Sequence, residues 1–143
     1  MRAGQGCGQD RGAGRTGVRS RMMGVMSSSQ SADCLFCKIA TGAIPATALY
    51  EDEQVLAFRD LTPQAPTHVL IIPKRHIASL AEATEGDTAL LGLLLHAAAE
   101  VARLEGLGSG YRVVVNTGAD GGQSVHHLHL HVLGGRGMHW PPG

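Results

Sequence analysis

The sequence GGQSVHHLHLHVLGGR, residues Gly121–Arg136, places a histidine at every second position of a run that alternates with apolar residues. These histidines are His127, His129 and His131. Alternation with a period of two is typical of a half-buried β-strand, whose successive side chains point to opposite faces. We therefore expect the three imidazoles on one face of a strand, roughly 6–7 Å from one to the next. The leucine and valine side chains between them would enter the core.

Alternative interpretations of this segment are less specific. A purification tag has contiguous histidines, whereas these alternate with leucine. An adventitious metal-binding strand and a row of solvated polar side chains both remain open. Three titratable rings on one strand, beside the glycine-rich turn Asn116–Gly122, favour a functional site.

Length and composition exclude several classes of protein. A chain of 143 residues suits one domain. The 12 basic residues balance the 12 acidic ones, so no overall charge attracts nucleic acid or an anionic membrane. Aromatic residues make up 3%, which argues against stacking platforms for single strands. The longest apolar run, Ala89–Leu95, is far shorter than the roughly 20 residues that span a bilayer. We expect neither a nucleic-acid nor a membrane partner.

Residues 1–31 differ from the rest of the chain. They are rich in glycine, arginine and serine, with the single acidic residue Asp10 and no apolar periodicity. The composition predicts a disordered tail, followed by one domain over residues 32–143. Internal methionines such as Met22 are consistent with an over-called start, and an organellar transit peptide is the alternative. We expect a cytoplasmic protein, or a mitochondrial one if the tail is a transit peptide.

The remaining pattern predicts an α+β domain with a five-stranded, mostly antiparallel sheet, one long helix and one short helix. The predicted elements are a short helix over Cys34–Ala40, a long helix over Gly86–Glu105, and strands over Ala48–Glu51, Gln54–Asp60, His68–Pro73, Tyr111–Asn116 and Val125–Leu133. His96, Glu100 and Arg103 share one side of the long helix, and we expect them to be solvated.

Several motifs resemble those of the histidine-triad (HIT) superfamily, and in particular its Hint branch. They are His127–Leu133 (HLHLHVL), Asp60–His68 (DLTPQAPTH), Ile72-Pro73-Lys74, Tyr111-Arg112, Asn116, Gly121–Ser124 and Trp140–Gly143 (WPPG). The resemblance covers Cys34 to Gly143. It implies a HIT-like fold, a homodimer, and a tail at Trp140–Gly143 that reaches towards the partner's site.

The middle histidine, His129, is the predicted nucleophile. A neutral imidazole can attack phosphorus when an acceptor, such as a neighbouring carbonyl, holds its other ring nitrogen. The product would be a nucleotidyl-histidine that water later hydrolyses. The resemblance implies the same nucleophile. His127, His131 and Ser124 are the other predicted catalytic residues; His131, the Ser124 hydroxyl and backbone N–H groups at Gly122–Ser124 would donate to phosphoryl oxygens.

The resemblance also implies a nucleotide site. An apolar slot would hold the base, Asp60 would accept from the ribose hydroxyls, and Asn116 would bind near the phosphate or ribose. The complete predicted set is Phe36, Ile39, Ile44, Phe58, Asp60, Leu61, Asn116, Gly122, Gln123, Ser124, His129 and His131. Without the resemblance, the apolar residues would be assigned to the core and Asp60 to a turn.

Cys34 and Cys37 have the CxxC spacing of half a zinc site, which alone is a weak signal. The resemblance supplies His68 and His127 as the other two ligands. Two thiolates and two imidazoles would make a closed, structural zinc site. His68 as a hydrogen-bonded core residue is the alternative. We expect no organic cofactor.

These features predict a purine nucleoside phosphoramidate hydrolase, acting on substrates such as adenosine 5′-monophosphoramidate or lysyl-AMP. Two alternatives remain open: a dinucleoside polyphosphate hydrolase or nucleotidyl transferase, and a zinc-containing nucleotide-binding regulatory protein. The WPPG ending favours the phosphoramidase. His126 and Gly137 depart from the Hint pattern, which bears on substrate choice.

Overall fold

Two α-helices and five β-strands form the part of the chain that the computed structural model describes, residues 31–143. They are α1 (Leu35–Ala40), β1 (Ala48–Glu51), β2 (Val55–Arg59), β3 (Thr67–Pro73), α2 (Thr88–Leu104), β4 (Tyr111–Val115) and β5 (Leu130–Gly134). The predicted α+β class, with one long and one short helix, is confirmed. The predicted tail lies outside the described residues, apart from Ser31.

The strands form one sheet in the order β1-β2-β3-β5-β4, and every neighbouring pair is antiparallel. The histidine-bearing strand β5 lies between β3 and β4. Its register pairs His131 with Leu70 on β3 and with Val114 on β4. A strand paired on both sides is held rigidly, so the ring of His131 projects from a fixed backbone.

Each face of the sheet is covered by one helix. Val69 and Ile71 of β3 point towards α2 and join its buried leucines and alanines. Leu70 and Ile72 alternate with them and pack with Phe36 of α1 on the opposite face. The apolar residues of the triad segment, Leu128, Leu130 and Val132, enter the α2 side as the period of two predicts.

The triad strand is shorter than the sequence predicts, because β5 begins only at Leu130. Both neighbours stop pairing there: Ile71 and Val115 are the last residues matched to this end of β5. The preceding residues are held by other bonds, such as that from the Leu128 N–H to the Ile77 carbonyl at 2.6 Å. His127 and His129 therefore occupy an irregular segment that leads into the sheet.

Helix α2 begins two residues later than predicted, after a 3₁₀ turn over Glu85–Asp87. Its polar stripe is on the surface: His96 is exposed, and Arg103 donates to Glu100 at 2.9 Å. Neither helix in residues 31–143 has the length and hydropathy required to cross a membrane.

Candidate active site

The backbone fixes which nitrogen of His129 carries the proton. Its Nδ1 lies 2.7 Å from the carbonyl oxygen of His127. A carbonyl only accepts, so Nδ1 carries the hydrogen and Nε2 keeps its lone pair. The edge of Phe36 packs on the ring, with centroids 5.1 Å apart, and His129 is only 5% exposed. The bond therefore fixes the tautomer that the neutral ring adopts, with its lone pair on Nε2, and a nucleophilic histidine attacks through such a lone pair.

His131 lies beside this ring, with the two centroids 5.0 Å apart. Its Nδ1 is 2.9 Å from Nε2 of His68. Its Nε2 is buried and has no hydrogen-bond partner among the described residues. Burial first, and then the neighbouring His129 and His68, lower the pKa of His131 to about 4. His131 is consequently neutral at neutral pH and has one ring nitrogen without a protein partner.

A cavity of about 450 Å³ opens next to these rings. Eight of the predicted binding residues line it: Phe36, Ile39, Ile44, Phe58, Asp60, Leu61, Ser124 and His131. Leu61 is 98% exposed and therefore lies at the rim. Most of the wall is apolar, as in pockets that hold a flat organic group, and polar groups are concentrated near the histidines.

The glycine-rich loop supplies fewer phosphate donors than predicted. The Gly122 N–H bonds to the Ala119 carbonyl, and the Gln123 N–H bonds to the Gly118 carbonyl, both at 3.0 Å. The Gln123 side-chain amide donates to the carbonyls of Ala78 and Val125. These N–H groups hold the loop together, so the contact of Gly122 and Gln123 with a nucleotide stays a prediction that would depend on their other atoms.

Ser124 and Asn116 approach the site from two sides. Ser124 is exposed and lines the cavity. Asn116 directly follows Val115, whose pairing with Leu130 ends the β4–β5 ladder, so Asn116 lies just beyond that end of the sheet.

Four side chains on the α1 side form a candidate metal centre: Cys34, Cys37, His76 and His127. Nδ1 of His127 lies 3.3 Å from Sγ of Cys34, 3.6 Å from Sγ of Cys37 and 3.2 Å from Nδ1 of His76. Sγ of Cys37 is 3.3 Å from Nδ1 of His76. Two sulfurs and two imidazole nitrogens thus converge on one point, which is the donor set that zinc prefers.

The tautomer of His127 fits this assignment. Its Nε2 donates to the Pro73 carbonyl at 2.8 Å, which leaves the lone pair of Nδ1 facing the sulfurs. Burial, the largest cause, lowers the pKa of His127 to about 4, so the ring is neutral as a metal ligand must be. Burial also raises the pKa of the Cys37 thiol.

His68 is not a member of this cluster, so the sequence prediction of it as a zinc ligand is wrong. It lies at the far end of β3 from Pro73 and contacts His131 and Asp60. The residue in its place is His76, which follows β3 and which the sequence analysis missed. The sequence feature that could have pointed to His76 is its position three residues after Pro73. In the structure, the Pro73 carbonyl also orients His127.

The chain is similar to several proteins along most of its length. Residues 41–138 match the HIT domain family. A protein of Zea mays named a 14 kDa zinc-binding protein is 58% identical over 111 residues, which are 76% of this chain and 87% of that protein.

Two solved structures are similar in fold as well. A HIT family hydrolase of Legionella pneumophila is 57% identical with a TM-score of 0.76, over 78% of this chain and all of that one. A histidine triad nucleotide-binding protein of Candida albicans is 34% identical with a TM-score of 0.66, over 76% of this chain and 83% of that one.

Proposed function

The chain belongs to the HIT domain family, and we propose that it is a Hint-type purine nucleoside phosphoramidate hydrolase. The observation that carries the proposal is the bond from Nδ1 of His129 to the His127 carbonyl, because it leaves the lone pair of the neutral ring on Nε2. The cavity beside the neighbouring ring of His131 has an apolar wall for a base and a carboxylate, Asp60, for a ribose. The hydrolase of Legionella and the nucleotide-binding protein of Candida are consistent with this chemistry.

The reaction would proceed in two steps. Nε2 of His129 attacks phosphorus, a new N–P bond forms, and the P–N bond to the amine breaks. The amine leaves with a proton that it takes from solvent through the Ser124 hydroxyl, which lines the cavity. A water molecule then attacks the phosphorus of the nucleotidyl-histidine, gives up a proton, and releases AMP and the neutral imidazole. The His127 carbonyl would stabilise the positive charge that the ring carries in between.

A structural zinc ion is part of the proposal. In a tetrahedral site with ordinary bond lengths, two imidazole nitrogens are about 3.3 Å apart, and a nitrogen and a sulfur are about 3.6 Å apart. The separations here are 3.2 Å between nitrogens and 3.3–3.6 Å between nitrogen and sulfur, so the four donors fit. Bound there, zinc would tie α1 to the triad segment. The maize relative named a zinc-binding protein is consistent with this role.

The proposal extends to assembly and compartment. The resemblance of the WPPG ending supports a homodimer. Two reduced cysteines in the metal cluster favour a reducing compartment such as the cytoplasm. A mitochondrial location remains the alternative if residues 1–31 are a transit peptide.

Substitution of the nucleophile tests the function. His129→Ala should abolish turnover of adenosine 5′-monophosphoramidate, while AMP affinity stays within about tenfold, or about 1.4 kcal/mol. The exposed His96→Ala is the matched control and should leave both unchanged. Unchanged turnover in His129→Ala would contradict the mechanism.

Paired substrates test the bond that is cleaved. The wild-type protein should hydrolyse the P–N substrate with a higher kcat/KM than a dinucleoside polyphosphate at the same concentration. The reverse order would assign the protein to the P–O hydrolases. AMP binding without turnover of either substrate would assign it to the regulatory class.

A further inference from the structure

His68 has a hydrogen-bond partner that determines its tautomer. The backbone N–H of Gln64 donates to Nδ1 of His68 at 3.0 Å. A backbone amide can only donate, so this nitrogen is the unprotonated one. In neutral His68 the hydrogen is therefore on Nε2.

The tautomer of His68 determines the tautomer of the neighbouring His131. Nε2 of His68 lies 2.9 Å from Nδ1 of His131, and at a longer 3.4 Å from Oδ2 of Asp60. The shorter contact makes His68 the donor and Nδ1 of His131 the acceptor. Neutral His131 must then carry its hydrogen on Nε2, which is the buried atom without a partner at the cavity.

We propose that His68 is a positioning residue that holds His131 as its Nε2–H tautomer, so that a neutral His131 donates a hydrogen bond to a phosphoryl oxygen. The proposal rests on the proposed function of the same site. The opposite tautomer of His131 would set two N–H groups against each other across 2.9 Å. A buried N–H donor with no protein partner reduces the stability of the fold. Such a donor is expected where an anionic ligand supplies the missing acceptor.

The loop that carries Gln64 is braced so that its N–H stays in place. The guanidinium of Arg136 donates to the Gln64 carbonyl at 3.1 Å, and the Gln64 side chain donates to the Thr62 carbonyl at 3.0 Å. The Thr62 N–H in turn bonds to Oδ1 of Asp60 at 2.7 Å. The chain of hydrogen bonds thus begins at the Gln64 N–H, passes through His68 and ends at Nε2 of His131.

The same geometry opposes a positive charge on His68. A second proton would have to sit on Nδ1, where it would face the Gln64 N–H. Burial lowers the pKa of His68, although the charge of Asp60 acts in the opposite direction. A neutral His131 is the useful donor, because a positive charge on this ring, whose centroid is 5.0 Å from that of His129, would oppose the positive charge that His129 acquires when it attacks phosphorus.

The tautomer can be measured without turnover. Protein purified with its metal and labelled with ¹⁵N-histidine should show His131 with a protonated Nε2 and an unprotonated Nδ1 in two-bond ¹H–¹⁵N spectra. The signals are assigned by their loss in His131→Gln. His68→Leu should give a mixture of tautomers, and His68→Gln, whose amide keeps a donor, should restore the wild-type pattern. His96→Gln is the control for the loss of one exposed histidine.

Binding and turnover supply the second readout. His68→Leu should weaken AMP binding and lower kcat/KM by at least about tenfold, as expected for one hydrogen bond to a charged group. Adenosine, which has no phosphate, should bind unchanged, and His68→Gln should stay within about threefold of the wild type.

Three results would overturn the proposal: Nδ1 protonation of His131 in the wild type, equal loss in His68→Gln and His68→Leu, or AMP affinity unaffected in both. If His68→Leu does not fold, the wild-type spectrum and His68→Gln still decide. Absent phosphoramidase activity with the expected tautomer and AMP effect would refute the proposed function alone.

Discussion

At the scale of single residues, the backbone assigns a different task to each imidazole. The carbonyls of His127 and Pro73 accept from Nδ1 of His129 and from Nε2 of His127, so the free lone pairs lie on opposite ring nitrogens. His129 therefore presents Nε2 for attack, whereas His127 presents Nδ1 to the two cysteines. One residue type could thus supply both the proposed nucleophile and the proposed metal ligand, because a backbone carbonyl, which can only accept, orients each ring.

Metal content distinguishes the two histidines that compete for the zinc site. Wild-type protein should contain about one zinc per chain, and both His76→Gln and Cys34→Ser should lose it, because a three-donor site binds far more weakly. His68→Gln is the matched control and should keep its zinc. Elemental analysis of the purified variants measures this. Zinc lost from His68→Gln and kept in His76→Gln would restore the ligand set predicted from the sequence.

The sequence could not distinguish His76 from His68 as the fourth ligand of the candidate zinc site. His68 lies near the start of β3 and His76 follows its end, and the extended chain from His68 to Pro73 alone spans about 16 Å. The CxxC motif requires two more ligands but does not state at which end of β3 helix α1 packs. That choice depends on Phe36, which contacts the rings of both His127 and His129. Contacts between distant segments settle it, and local periodicity carries no information about them.

The strands could be predicted because they depend on alternation, whereas the apolar slot followed only from the resemblance to the HIT superfamily. The buried side of the triad segment follows from the period of two. The bonds of Gly122 and Gln123 could not be predicted, since a glycine-rich loop can present its N–H groups outwards or use them internally. Here Gly121 lies so close to the chain that an added Cβ would meet the Thr117 carbonyl at 2.4 Å. The loop folds back tightly, and its hydrogens are used within it.

At the scale of elements, Asp87 joins the start of α2 to the segment that follows β3. Its carboxylate accepts from the Thr84 N–H at 2.8 Å and pairs with the guanidinium of Arg75. Arg75 directly precedes the candidate ligand His76. The carboxylate also faces the positive end of the helix. The same side chain thus closes the 3₁₀ turn that leads into α2 and pairs with the residue that precedes His76.

Asp87→Asn should reduce the free energy of unfolding by about 1–3 kcal/mol, because the hydrogen bonds to the Thr84 N–H and to the Arg75 guanidinium lose their charged acceptor. Urea denaturation measures it. Glu100→Gln is the control: it removes a surface ion pair with Arg103 and should change stability by less than about 0.5 kcal/mol. Equal effects of the two substitutions would show that Asp87 contributes no more than a surface pair.

The pH dependence of the Asp87 effect has a definite sign. The Thr84 N–H first, and then Arg75, hold the pKa of Asp87 below its ordinary 3.8. A lowered pKa gives stability that is fully present above 3.8 and disappears as the pH falls through the folded-state value. The difference between wild type and Asp87→Asn should therefore be constant near neutral pH and shrink in acid. A difference that grew below pH 3.8 would contradict the assignment.

At the scale of the whole molecule, one edge of the sheet is suited to assembly. Strand β4 is the last in the order, so one side of it has no neighbouring strand among residues 31–143. Unpaired edges associate readily unless charge, proline or a bulge prevents it. Tyr111–Val115 has one charged residue, Arg112, and no proline, whereas the opposite edge, β1, has an irregular register. A second copy would more readily pair along β4.

The C-terminal segment connects that edge to the tail predicted to reach a partner. Arg112 of β4 donates to the His139 carbonyl at 2.7 Å, and the next residue, Trp140, is 81% exposed. A large aromatic ring so exposed would be shielded if a partner copy packed along β4.

We therefore expect the protein to be a dimer, with a mass by light scattering of twice the 14.9 kDa of one chain. Because Trp140 is the one tryptophan in the sequence, its fluorescence reports this segment alone. Dilution should shift the emission to the red over the same concentrations at which the mass falls, and Trp140→Phe should abolish the signal while leaving the catalytic histidines in place. A monomeric mass at all concentrations would refute the dimer, and a dimer with fully exposed emission would refute the contact of the tail with its partner.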